Sequence, residues 1–210
     1  MQRIVNALLA EGLVAHAAPE GGVCLGPEIQ SLAAAGRINV AELLHPVLVD
    51  LARETEETVD LSIYRENYVE FMDQVVGSHR LRTVSAVGET FPMLTTATGK
   101  ATLALLPDDD VVAIAGKELR DPGQSAKSLQ QVITEIAEIR QCGVAFDLDE
   151  HTVGVSATAV AFKAPSGLIY SISLPVPSHR FLATRDSLVA ALERTLKRVQ
   201  AALARVHGYT

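Results

Sequence analysis

The spacing of apolar residues predicts an α+β fold: a mixed, largely antiparallel sheet flanked by helices and preceded by a partial helix-and-hairpin unit. Three observations carry this. A short amphipathic helix runs straight into a two-stranded hairpin. Strict apolar/polar alternation over 58–63 marks a strand with a partner. Long 3.6-residue stripes near both ends and in the middle mark helices.

In chain order, residues 2–11 form the first helix, with Ile4, Ala7 and Leu8 at helical spacing, and Gly12 ends it. Leu13–Ala15 and Val23–Leu25 are β-prone pieces joined by the turn Pro19-Glu20-Gly21-Gly22. A helical piece runs from Gly26-Pro27 to about Ala35. From Asn39 a longer helix carries the stripe Val40, Leu43, Leu44, Val47, Leu48 and Leu51, suited to a core or to a linker or dimer contact. Pro46 inside it is expected to kink the helix or delay its start. Val59, Leu61 and Ile63 face one side of a strand, Thr58, Asp60 and Ser62 the other. Arg65-Glu66-Asn67 turns into a partner from Tyr68 to Asp73, and Leu81–Val84 reads as a third short strand. Helices follow at Thr95–Leu106, from Asp108 after Pro107, and at 124–140. Strands follow at Gly143–Phe146, 155–162 and 168–174, and a last helix at Asp186–Val206 carries Leu188, Leu192, Leu196, Val199 and Leu203.

Of 210 residues, 48% are hydrophobic and 20% charged, which suits a globular chain with a sizeable core. No apolar run approaches the roughly 20 residues of a membrane helix, and the N-terminus lacks the features of a signal peptide. Two distant cysteines, Cys24 and Cys142, suit reduced thiols in a cytoplasm and make no zinc site. A net charge of −7 and the lack of Trp argue against a nucleic-acid platform spread over the whole chain.

The run FPMLTTATGKATLALLP contains Gly99-Lys100 at a helix start. It is not a phosphate loop. Leu94 stands where the first Gly is needed, and Ala101 where the metal-binding hydroxyl is needed. The plain reading is a Thr-capped helix with Lys100 on its solvent side, where Thr95, Thr96 and Thr98 make a possible small-anion site. Asp147, Glu150 and His151 lie close enough in sequence for acid–base work, but no nucleophile elbow, HExxH or dinucleotide fingerprint accompanies them, and a non-enzymatic protein without a cofactor is expected. His151 and His179 lack a third ligand for a metal.

Over residues 55–182 the sequence resembles the effector-binding domain of the IclR family of bacterial transcriptional regulators. LARETEETVDLSI, LRTVSAVGETFPMLTTATGKATLALLP, GVAFDLDEHTVGVSATAVAF and VPSHRF carry the resemblance in family order. MQRIVNALLAEGLV resembles the recognition helix of the family's winged helix-turn-helix, and GGVCLGPEI the end of its wing. The resemblance implies three parts: a partial winged helix at 1–26, linker helices at 27–54, and a GAF-like effector domain at 55–210. Operator DNA would meet Gln2, Arg3 and Asn6. A small organic-acid effector would meet Thr83, Phe91, Ala97, Thr98, Asp147, Ala157 and Ser173. Of these, Ala97 and Thr98 would offer backbone N–H groups, Asp147 would accept from a ligand hydroxyl or hold a loop, Ser173 would donate, and Thr83 and Phe91 would shape the apolar side. Ala157 stands where some relatives have Cys, and Pro175 where a second strand Ser is usual, so a larger or more apolar ligand than a two-carbon acid is expected. A homodimer or dimer of dimers, in the cytoplasm and off the membrane, is also implied.

The recognition helix begins at residue 1, and the family's two preceding helices have no counterpart in the sequence. A start upstream of Met1 is the favoured expectation. A truncated relative that senses without binding DNA is the alternative, and residues 1–36 hold a single Arg against Glu11, Glu20 and Glu28.

Overall fold

The computed structural model describes residues 2–17, 21–29, 39–120 and 127–207. The chain divides into two compact units, Met1–Val40 and Ala41–Thr210.

In the first unit, α1 (Gln2–Ala10) leads into the antiparallel pair β1 (Val14–His16) and β2 (Val23–Leu25), with Val14 opposite Leu25 and His16 opposite Val23. Gly12 makes the sharp exit from α1 at φ +68°, a left-handed conformation that glycine adopts without penalty. The Leu13 N–H then donates back to the Leu8 carbonyl at 2.9 Å, closing the helix end. Arg3 and Asn6 are exposed on α1. The helical piece expected after Pro27, and Pro19 and Glu20 of the turn, lie wholly or mostly outside the described residues.

The second unit opens within α2 (Val40–Thr55), whose Leu44, Leu48 and Leu51 are fully buried. The stripe is therefore core. Pro46 sits inside the helix, and its start is not delayed. Next come β3 (Val59–Arg65), β4 (Tyr68–Val75), β5 (Thr90–Phe91), α3 (Ala97–Leu103), α4 (Asp108–Glu118), α5 (Leu129–Cys142), β6 (Ala145–Leu148), β7 (Val155–Lys163), β8 (Ile169–Pro177) and α6 (Ser178–His207). The six strands form one antiparallel sheet in the order β5-β4-β3-β8-β7-β6, with the first and last hairpins meeting at β3 and β8.

One face of the sheet carries the core built with α3, α4 and α5. Leu94, Ala97, Ala101, Leu103, Ile114, Val132 and Ile136 cluster with Ala145, Ala157 and Ala159. The strand alanines are small, which lets α3 lie close to the sheet. On the other face, Phe146 of β6 meets Phe181 of α6 edge-on at 6.4 Å. A side-chain and backbone capping box, Ser128 with Gln131, starts α5, and Gly143 in the left-handed conformation ends it.

Three sequence expectations are corrected. Leu81–Val84 is not a strand: Thr83 is held by side-chain bonds instead, its carbonyl accepting from Thr58 Oγ1 at 2.7 Å and its Oγ1 donating to the Pro175 carbonyl at 2.8 Å. The last helix begins at Ser178, eight residues earlier than expected. Its added turns are anchored by Phe181, 1% exposed, and by Arg180, which forms a two-pronged bond with Glu57 at 2.6 and 2.8 Å. Lys100 is not on the solvent side, as described next.

Candidate functional site

Residues 93–106 build the central feature. Glu118 of α4 accepts the N–H groups of Met93 and Leu94 at 2.9 and 3.0 Å and so fixes the approach to α3. Thr96 caps the helix, its Oγ1 accepting from Gly99 N at 3.1 Å and donating to the Pro92 carbonyl at 2.7 Å. Arg140 of α5 binds the carbonyls of Ala104 and Leu106 at the other end.

Lys100 is 1% exposed and points into the protein. Its Nζ meets Glu135 Oε1 at 2.8 Å and Glu150 Oε1 at 2.5 Å, and Lys127 closes the square to the same two carboxylates at 2.5 and 2.6 Å. A buried ammonium needs such partners, which the sequence could not supply because they lie 35 and 50 residues away. Burial alone would raise the Glu135 carboxyl, but hydrogen bonds from Lys100 and Lys127 hold it below its ordinary range.

Between α3, the sheet and the 83–89 segment lies a cavity of about 400 Å³. Cross-strand register explains its floor. Asp60 of β3 sits opposite Ser173 of β8, and one step along, Asp147 of β6, Ala157 of β7 and Pro175 of β8 stand in a row. Phe71 and Phe91, stacked with centroids 4.4 Å apart, close one end, and the His151 ring meets Phe91 edge-on at 5.5 Å. Thr96, Ala97 and Thr98 form the helix side, and Thr83 to Ser85 with Glu89 form the rim.

All seven residues expected to meet an effector, Thr83, Phe91, Ala97, Thr98, Asp147, Ala157 and Ser173, line this one cavity, as does Pro175. Asp147 is 5% exposed, and its Oδ1 accepts the Glu150 N–H at 2.8 Å and the His151 N–H at 3.4 Å. It holds the β6–β7 loop, while burial pushes its carboxyl above the usual range. Sequence reading missed Asp60, Phe71 and Glu89. Asp60 is 1% exposed, takes a hydrogen bond from Gln74 Nε2 at 2.6 Å, and is pushed up to about 7 by burial. Its signal was present: alternation put Asp60 on the face opposite Val59 and Leu61, and only the fold turned that face inward.

The acid–base trio is not assembled as such, because Glu150 is committed to Lys100 and Lys127. Among the described residues no cluster of His, Cys, Asp or Glu has the geometry of a metal site, and no helix is long and apolar enough to cross a membrane.

Residues 32–201 match the family model described as the C-terminal domain of IclR bacterial transcriptional regulators. The chain belongs to the IclR family. This IclR-family chain is 39% identical over 202 residues to the HTH-type transcriptional regulator Rv1719 of Mycobacterium tuberculosis, covering 96% of itself and 78% of that protein. It is 34% identical over 205 residues to the HTH-type transcriptional regulator TtgV of Pseudomonas putida, covering 98% and 79%. An IclR homologue of Microbacterium hydrocarbonoxydans superimposes with a TM-score of 0.70 at 16% identity, covering 97% of this chain and 85% of the other, which bears on the fold alone. The α+β architecture and the IclR resemblance drawn from the sequence both hold.

Proposed function

We propose that this IclR-family transcriptional regulator controls DNA binding through a small organic effector seated in the cavity of its second unit. The cavity supports the reading most directly. It is walled by all six strands' sheet and by α3, mixes aromatic, hydroxyl and carboxyl groups, and falls in the range of small-molecule sites. The solved IclR homologue of Microbacterium hydrocarbonoxydans is a complex with 4-hydroxybenzoate, so one protein of this fold holds a ring-sized ligand. The effector would shift the population between subunit arrangements and so alter the spacing of recognition helices in a homodimer or dimer of dimers. The proposed organisation is a winged-helix part at 1–26, linker helices at 27–54 and the effector domain at 55–210.

The DNA-reading side would be α1, with Gln2, Arg3 and Asn6 toward base edges; Arg3 and Asn6 are exposed there. A second reading, a sensor without DNA affinity, is favoured by the charge of residues 1–36, where Arg3 alone faces three Glu. Fluorescence anisotropy with DNA from upstream of the protein's own reading frame decides between them. The expected result is binding tighter than to random duplex at the same salt, weakened by about 1–3 kcal/mol in Arg3→Ala. Equal affinity for both duplexes would leave the sensor reading standing.

A further inference from the structure

Resting on the effector reading above, we infer that the cavity takes a small non-anionic molecule, an alcohol or amine on an apolar body, whose O–H or N–H donates to Asp60. An organic acid built on the same body is the weaker ligand.

The charges on the wall are the first ground. Asp60, Glu89 and Asp147 line the cavity, and no Lys or Arg is among its lining residues. Lys100 follows the lining residue Thr98 by two positions, but it is pinned between Glu135 and Glu150 and is 1% exposed. It cannot swing out to meet an anion without leaving two carboxylates behind. A ligand carboxylate would enter a wall of acidic groups with no basic side chain to pair with, whereas a ligand donor meets an acceptor there.

Donor bookkeeping is the second. A bound carboxylate needs several hydrogen-bond donors. The Thr83 hydroxyl hydrogen is spent on the Pro175 carbonyl at 2.8 Å, and that of Thr98 on Thr96 Oγ1 at 3.3 Å, so a carboxylate would depend on neutral donors alone, the backbone N–H groups at the start of α3 and the Ser85 and Ser173 hydroxyls. One strong acceptor stands beside them. Asp60 Oδ1 takes the Gln74 amide, while Oδ2 takes no hydrogen bond from the described residues. The carboxyl is nonetheless almost wholly removed from solvent and on the cavity wall. An acceptor left open on a cavity wall is what a ligand donor would satisfy. The stacked Phe71 and Phe91 give the apolar body a wall, and an ammonium a π face.

Three probes with one ring and different heads test this: benzyl alcohol, benzylamine and benzoate, titrated calorimetrically into the intact protein near neutral pH. The expected result is that the alcohol or the amine binds at least about tenfold tighter than benzoate, and that Asp60→Asn removes most of the amine's advantage. Benzoate binding as tightly as the better of the other two would overturn the inference while leaving the effector cavity intact. If none of the three binds at millimolar concentration, both the inference and the effector reading of this cavity fall. Should Asp60→Asn not fold, wild-type titrations of the amine in two buffers of different ionisation heat replace it. Proton release on binding is expected as Asp60 ionises, and no release would count against Asp60 as the acceptor.

Discussion

Gly99 shows how one missing atom positions the cavity. A Cβ placed there would lie 2.5 Å from the Met93 Cα and carbonyl oxygen and 2.6 Å from the Pro92 carbonyl oxygen. These are backbone atoms held by Glu118 and Thr96, so they cannot give way cheaply. The Gly of the Gly-Lys pair is required for close packing, not for a phosphate. Gly99→Ala is expected to destabilise the fold by about 1–3 kcal/mol, read as a lower urea midpoint at unchanged m-value. An unchanged midpoint would mean the 92–94 turn is freer than its bonds suggest. Asp60 gives a second prediction. Its native carboxyl titrates near 7 against 3.8 unperturbed. Between those values the folded state keeps a proton that the unfolded chain has lost. This contribution is therefore fully present below the lower value and disappears as pH rises through the upper one. Gln74 donates to it, Ser173 stands opposite it on β8, Glu89 raises it further, and Asp147 and His151 line the same cavity. From about pH 5 to 7 the wild type should lose roughly 2–3 kcal/mol relative to Asp60→Asn, measured by denaturation of both proteins at the two pH values. Parallel losses would remove Asp60 as the source.

At the scale of elements, α3 is short, and its seven residues are all buried. Intrinsic propensity cannot hold a helix of that length. It is held by its neighbours: Thr96 and Glu118 at its start, Arg140 at its end, and the Lys100–Glu135–Glu150–Lys127 square on its flank. Removing Lys100 leaves two part-buried carboxylates sharing Lys127. Lys100→Met keeps the volume and loses only the charge, so it isolates this effect. A loss of about 2–4 kcal/mol is expected by urea denaturation. A neutral outcome would show that Lys127 alone satisfies both carboxylates. The same square reaches the cavity, because the Glu150 N–H donates to Asp147 while its side chain binds Lys100. Arg180 plays a similar part on the other flank: besides Glu57 it binds the Leu81 carbonyl at 2.8 Å, tying the segment that leads to the cavity rim to α6.

At the scale of the molecule, the cavity exists because two hairpins, β3–β4 and β7–β8, join edge to edge and present alternate residues to one face. Strand periodicity and the helical stripes were legible in the sequence, since apolar spacing reports which face of an element is dry. That is why β2 has the bounds expected of it, and why most elements fall within a few residues of theirs. Family resemblance, carried by motifs in order, likewise picked out residues that line one cavity. Three things were not legible. Lys100 read as a surface residue, the 81–84 segment read as a strand, and Asp60 read as part of a polar face. Each was decided by partners far away in sequence: Glu135 and Glu150, Thr58 and Pro175, and the register of β8 against β3. Local pattern determines whether a residue can lie in a helix or strand and which side it takes. Whether that side meets water, a buried counter-charge or a ligand cavity depends on long-range pairing, where desolvation is either compensated or left open for something else to satisfy.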